Sequence, residues 1–151
     1  MNLLHSNDAP GRHAPSYYAA TAPEVALRPS LTDTLRADVC VVGAGYTGLS
    51  AALRLAEAGM KVIVLDAHRA GWGASGRNGG QLGGGQRVDQ ADLETAYGLP
   101  RAKELWDLGE AAKNLVKDLI TKHNIDADLV PGVMHTAHKA RYVDDLRHEV
   151  D

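Results

Sequence analysis

Asp38-Val39-Cys40-Val41-Val42-Gly43-Ala44-Gly45-Tyr46-Thr47-Gly48-Leu49-Ser50 decides the fold. Its first five residues are mostly β-branched and apolar, the pattern of a buried strand. Gly43, Gly45 and Gly48 then spell G-x-G-x-x-G. Leu49, Ala52, Leu53 and Ala56 recur at helical spacing and mark one face of a helix. Gly59, after Glu57-Ala58, is placed to end that helix as its C′ residue. Lys61-Val62-Ile63-Val64-Leu65 reads as a second strand, closed by Asp66. Strand, glycine turn, helix, strand and terminal acid together predict an α/β, Rossmann-like βαβ unit that binds a dinucleotide.

Each glycine has a separate task in such a unit. Gly43 permits the tight turn out of the strand, Gly45 leaves room for a pyrophosphate to approach the backbone, and Gly48 lets the helix lie close to the sheet. The phosphates meet unpaired N–H groups at the positive end of the helix. A carboxylate at Asp66 accepts hydrogen bonds from a ribose 2′-hydroxyl and repels a 2′-phosphate. FAD or NAD is therefore expected, and NADP is disfavoured.

Half of the chain's 16 glycines fall between Gly71 and Gly85. A flexible linker is the plain reading of such a run. Trp72, Ser75, Arg77, Asn78 and Gln81 argue for a binding loop instead. They place aromatic, hydroxyl, guanidinium and amide groups among backbone positions able to wrap a phosphate or a heterocycle.

The chain has 151 residues, enough for a sizeable core, and its charged fraction of 23% is that of an ordinary globular protein. A net charge of −3 provides no electrostatic footprint for nucleic acid or an anionic membrane. No apolar run approaches the roughly 18 residues of a membrane span. Met1–Arg12 has neither the basic nor the apolar region of a secretory leader. The single cysteine, Cys40, cannot form an internal disulfide, which points to a reducing cytoplasm; it is expected to pack as an inert buried thiol in the first strand. His135 and His138 form H-x-x-H without a third ligand at suitable spacing, so no metal site is expected.

Residues 1–37 read as an irregular arm holding four of the 6 prolines, with Tyr17-Tyr18 able to pin it to the body. A short helix is expected over 90–97, stopped by Gly98 and Pro100. A longer one is expected over 101–123, with Leu105, Leu108, Ala112, Leu115 (or Val116) and Leu119 as its core stripe and Glu110, Lys113, Asn114 and Asp118 on its wetter side. Gly109 is expected to weaken this helix slightly. Residues 133–138 read as a short strand. Arg141–Asp151 reads as an amphipathic helix with Val143, Leu146 and Val150 on one face, still running at the last residue, as in a chain that continues. These readings divide the chain into an arm at 1–37, a partial cofactor domain at 38–130, and at 131–151 the start of the sheet and helix of an incomplete substrate domain.

The glycine fingerprint, Asp66 and the Gly71–Gln81 segment resemble the amino-acid-oxidase-like (DAO-type) FAD-dependent amine oxidoreductases. Ser16-Tyr17-Tyr18-Ala19-Ala20, Gly45-Tyr46-Thr47-Gly48-Leu49-Ser50 and Gly73-Ala74-Ser75-Gly76-Arg77-Asn78-Gly79-Gly80-Gln81-Leu82 are similar to the N-terminal part, about the first third, of the gamma-glutamylputrescine oxidoreductases within that family. The resemblance implies FAD rather than NAD. By position it implies Gly43, Gly45, Tyr46, Thr47 and Gly48 at the pyrophosphate and Asp66, where a Glu is more frequent, at the adenosine ribose. It implies Ser75, Arg77, Asn78, Gly79, Gly80 and Gln81 along phosphate, ribityl chain or flavin edge. It also implies oxidation of a small-molecule amine in putrescine breakdown, with hydride transfer to flavin N5 and molecular oxygen as acceptor. The substrate-facing residues of such enzymes lie in a later antiparallel sheet, so no catalytic residue is assigned. The alternative is a truncated, inactive dinucleotide-binding fragment.

Overall fold

The computed structural model describes residues 11–23 and 25–148. The chain forms two compact units, Met1–Gly79 and Gly80–Asp151.

In the first unit, strand β1 (Val39–Val42) pairs in parallel with strand β2 (Val62–Leu65), in the register Val39 to Val62 through Val42 to Leu65. Two backbone bonds extend the ladder at its ends, from Asp38 N–H to Lys61 O (2.9 Å) and from Gly43 N–H to Leu65 O (2.7 Å). Helix α2 (Tyr46–Glu57) makes the crossover that parallel strands require. A short preceding helix, α1 (Tyr17–Thr21), lies in the arm that was expected to be irregular. Its signal was legible: Ser16 is an N-cap whose hydroxyl accepts from Ala19 N–H (3.2 Å).

Helix α2 ends as its glycine predicts. Gly59 takes a left-handed φ of 86°, its N–H donates to Ala56 O (2.9 Å), and Met60 N–H donates to Leu55 O (3.0 Å). That pair of bonds is the Schellman arrangement, which satisfies carbonyls left over at a helix end.

Ala44 and Ala52 are the buried apolar residues of this unit among those described. Val39 and Val41 are half-buried, whereas Cys40 and Val42 on the other face of the strand are exposed, Val42 by 85%. The expectation of a buried Cys40 is therefore corrected. Its place in mid-strand is right, but alternation turns it to the face of β1 away from Val41, the residue that lies under α2.

Close approach of α2 to β1 is set at Gly48. A Cβ there would overlap the Gly43 carbonyl and lie 3.2 Å from Val41 Cγ1. Gly43 makes the turn beneath it at φ 100°.

In the second unit, α3 (Gln90–Tyr97) and α4 (Leu99–Lys122) meet at Gly98, which receives the end of one helix and begins the next. Gly98 N–H donates to Glu94 O (2.9 Å), and Ala102 N–H donates to Gly98 O (3.0 Å). Pro100 lies in the first turn of α4, where its missing N–H costs nothing. The helix therefore starts two residues before the expected 101, with proline as initiator rather than breaker. Leu93 of α3 and fully buried Ala102 of α4 are the buried apolar residues of this helix pair, whose two helices pack against each other.

Three expectations for this unit are corrected. The supposed core stripe of α4 is largely open: Leu108 is 63% exposed, and Leu115 and Val116 are exposed as well. Glu110 and Lys113, assigned to the wet side, are half-buried and ion-paired (2.6 Å). Gly109 does more than weaken the helix, for a Cβ there would meet the backbone of Gly85, 2.8 Å from its nitrogen. Its bare backbone lets the glycine segment lie on α4, where Gln86 Nε2 donates to Leu105 O (2.6 Å).

Residues 133–138 form no strand, and no strand among the described residues pairs with them. A 3-10 turn (Ala140–Tyr142) leads into α5 (Val143–His148). The rest of the helix expected there, residues 149–151 with Val150, lies outside the described residues.

Gly48→Ala is expected to lower stability by about 1–3 kcal/mol, the range for overpacking a tight contact. The urea midpoint measures it. A midpoint equal to the parent's means that α2 does not lie against the Gly43 carbonyl.

Candidate cofactor site

The site is built around the turn from β1 into α2. Ala44 is held from two sides: its N–H donates to Asp66 Oδ2 (2.7 Å), and its carbonyl accepts from Gly71 N–H (2.8 Å). Asp66 leaves the end of β2 and uses its other oxygen, Oδ1, to accept from His68 N–H (2.8 Å). One carboxylate thus ties the glycine turn to the chain that follows the second strand. Both oxygens keep further lone pairs, so Asp66 can still accept from a hydroxyl.

The Ala44 N–H, then the His68 N–H, hold the Asp66 carboxyl below the ordinary aspartate range. Its partial burial opposes them, and the nearby His68 charge adds to the lowering.

Gly45 is the N-cap of α2 and has no side chain to cap it. Ser75 serves in its stead from the following segment, its hydroxyl accepting from Tyr46 N–H (3.0 Å). The same hydroxyl lies 2.9 Å from where a Gly45 Cβ would be. Leu49 N–H already bonds Gly45 O. The N–H groups of Gly45, Thr47 and Gly48 have no acceptor among the described residues. Three such donors at the positive end of a 12-residue helix, with no Cβ at Gly45 or Gly48, fit a pyrophosphate.

Residues 71–79 run past this turn as a strap with a 3-10 turn at Ala74–Gly76. Asn78 Nδ2 donates to the Tyr46 hydroxyl (3.1 Å) and to Ser75 O (2.9 Å). Arg77 Nε donates to Trp72 O (3.0 Å), and its guanidinium sits 4.3 Å from the Trp72 ring centroid. His68 stacks on the same indole at 3.9 Å. Two bonds join the strap and the arm, and the one through Tyr18 fits the Tyr17-Tyr18 reading. Tyr18 hydroxyl donates to Gly79 O (2.5 Å), and Trp72 Nε1 donates to Arg12 O (2.8 Å).

The structure thus brings Gly43, Gly45, Tyr46, Thr47, Gly48, Asp66, Ser75 and Asn78 to one turn. Arg77 engages Trp72, and Gly79 engages Tyr18. Gly80 and Gln81, both exposed, begin the second unit. Sequence reasoning missed Ala44, whose two backbone bonds carry no side-chain signature. It also missed the Trp72–His68 stack, although both residues are aromatic and lie four apart. Among the described residues, no three His, Cys, Asp or Glu side chains are grouped to hold a metal ion. No helix among them is long and apolar enough to cross a membrane.

The family described as FAD dependent oxidoreductase (DAO) matches residues 38–151. The chain belongs to this family. Members of the DAO family are FAD-dependent oxidoreductases, and their cofactor domain is the Rossmann-like fold whose first βαβ elements are seen here. Among relatives, the chain is 44% identical over 136 residues to "Probable oxidoreductase OrdL" of Rhizobium meliloti (strain 1021), covering 90% of this chain and 32% of that protein. It is 46% identical over 125 residues to gamma-glutamylputrescine oxidoreductase of Escherichia coli (strain K12), covering 83% of this chain and 29% of that protein. The chain spans about a third of the length of these DAO-family relatives. No solved structure matches it.

Asp66→Asn tests the clamp on the glycine turn. A carboxyl whose folded-state pKa is depressed adds stability that is complete above its unfolded value and is lost as pH falls through its folded value. The parent's urea midpoint is expected to fall on acidification below about pH 4, the ordinary carboxylate range. The variant is expected to start lower at neutral pH and to change less on the way down. A variant with the parent's full acid dependence removes Asp66 from this role.

Proposed function

We propose that these residues hold FAD in an oxidoreductase that oxidises the C–N bond of a small amine. The observation that carries the reading is the set of three unengaged N–H donors at the first turn of α2, in a chain of an FAD-dependent family. In this reading the N–H groups of Gly45, Thr47 and Gly48 bind the pyrophosphate beside Gly43 and Tyr46. Asp66 accepts from the adenosine ribose while it braces Ala44. Ser75, Arg77, Asn78, Gly79, Gly80 and Gln81 follow the phosphate, ribityl chain and flavin edge.

When bound, FAD supplies the hydride acceptor at its flavin ring. The amine gives up a hydride and a proton to become an imine. Water hydrolyses the imine to a carbonyl compound and an amine, and molecular oxygen takes the two electrons and two protons as hydrogen peroxide. The chain's own contribution is positional: the helix amides fix the phosphates, Asp66 fixes one ribose, and the strap fixes the remaining length. The identity to gamma-glutamylputrescine oxidoreductase supports a gamma-glutamylated diamine as substrate. We further assign 1–37 as arm, 38–130 to the cofactor domain and 131–151 to the start of the substrate domain. The cytoplasm is the proposed compartment, supported by a single cysteine, Cys40, which calls for no oxidising environment.

Titration of the purified chain with FAD, NAD and NADP tests the cofactor assignment. Flavin absorbance that co-elutes with the protein is expected, with neither nicotinamide nucleotide competing. Uptake of NAD without FAD overturns the reading. Gly45→Val places a branched side chain against Ser75 Oγ and over the open amides, and is expected to abolish flavin retention. Full occupancy in that variant means the pyrophosphate lies elsewhere. Peroxide release with gamma-glutamylputrescine tests whether these residues turn over by themselves. We expect none from these 151 residues alone, because substrate-facing residues belong, by the resemblance, to a later sheet.

A further inference from the structure

We infer that Tyr18 is a positioning residue, and that the arm segment Arg12–Thr21 braces the cofactor strap through bonds separate from those that tie it to α2. The inference rests on the FAD reading for its functional consequence and on geometry for the brace itself. The strap has two kinds of anchor. Ser75 and Asn78 tie it to the backbone and hydroxyl of Tyr46 at the start of α2. Its two ends are tied to the arm: Trp72 at one end donates to Arg12 O, and Gly79 at the other accepts from the Tyr18 hydroxyl. These contacts join residues 60 and 61 positions apart in the chain, so they are tertiary rather than local.

Tyr18 is suited to the task because its own position is set locally. It lies in α1, whose first turn is capped by the Ser16 hydroxyl, and its ring meets Tyr17 edge-on at 5.7 Å. Tyr17 makes the natural control. It is 70% exposed, and its hydroxyl has no hydrogen-bond partner among the described residues. Gly79 offers no side chain by which the strap could be held, so its carbonyl is the available handle. Removing the Tyr18 hydroxyl should loosen the Gly79 end of the strap, within the run proposed above to follow phosphate, ribityl chain and flavin edge, and leave the β1–α2 turn intact.

The test compares Tyr18→Phe and Tyr17→Phe in the full chain. Amide hydrogen exchange across 75–79, measured without ligand, reads the brace directly. FAD affinity and the visible circular dichroism of bound flavin read its consequence. Tyr18→Phe is expected to speed exchange at 75–79 and to weaken FAD binding roughly 2- to 10-fold, as loss of one hydrogen bond would. It is also expected to alter the flavin dichroism while leaving far-ultraviolet dichroism and Tm unchanged. Tyr17→Phe is expected to match the parent throughout. Unchanged exchange at 75–79 in Tyr18→Phe overturns the brace whatever the flavin does, and so does an equal effect from Tyr17→Phe. A parent chain that takes up no FAD sinks the cofactor reading instead. Faster exchange in Tyr18→Phe would then still support the brace.

Discussion

The van der Waals contact between Gly48 and the Gly43 carbonyl is the constraint on which the first unit depends. Only a residue without a Cβ allows the first turn of α2 to rest on the turn that leaves β1. That approach brings the helix amides to the end of the strand, where a ligand lying across the sheet edge can reach them. A helix shifted outward by one methyl group would keep its dipole but would aim it past the strand end. The close packing is thus the condition for the electrostatics, and a helix end so placed favours an anionic group.

Asp66 completes the arrangement by a different force. The turn that frees three amides for a ligand has to be stabilised without spending those amides. A carboxylate from β2 meets that need by taking the Ala44 N–H, which lies outside the helix, and the His68 N–H, which lies beyond the strand. Ser75 is a further economy of the same kind. Its hydroxyl occupies the Tyr46 N–H, the first donor of α2, and so joins the strap to the helix while leaving the later donors open. In a chain of an FAD-dependent family, these open donors are the ones proposed for the pyrophosphate.

The βαβ elements were legible because their signals are local. Alternation, helical spacing and a C′ glycine each act within one turn or one strand, and β1, α2, β2 and the end at Gly59 all follow from them. The arm helix is equally local, with Ser16 capping Tyr17-Tyr18-Ala19-Ala20 in a stretch that Pro15 and Pro23 otherwise mark as irregular. What failed were readings of burial, and of one strand, that depend on a neighbour the sequence does not name. Residues 133–138 have strand-like composition, yet a strand exists only against another strand. The apolar stripe of α4 is a correct description of its surface, yet burial depends on what packs there, and Leu108 and Val116 are exposed. Cys40 shows the same gap in one residue: its strand was right and its environment was not.

The candidate site divides along the same line. Sequence alone determined that Gly43, Gly45 and Gly48 make the tight turn from strand into helix and that an acid closes the second strand, because close approach and charge are properties of residue type at fixed spacing. Tertiary structure alone decided that Asp66 grips Ala44, that Ser75 stands in for a missing N-cap side chain, and that Tyr18 holds Gly79. Each of these joins residues more than twenty positions apart through a backbone group that carries no side-chain identity. A peptide N–H or carbonyl is the same at every position, so only the folded path of the chain can say which one a given side chain meets.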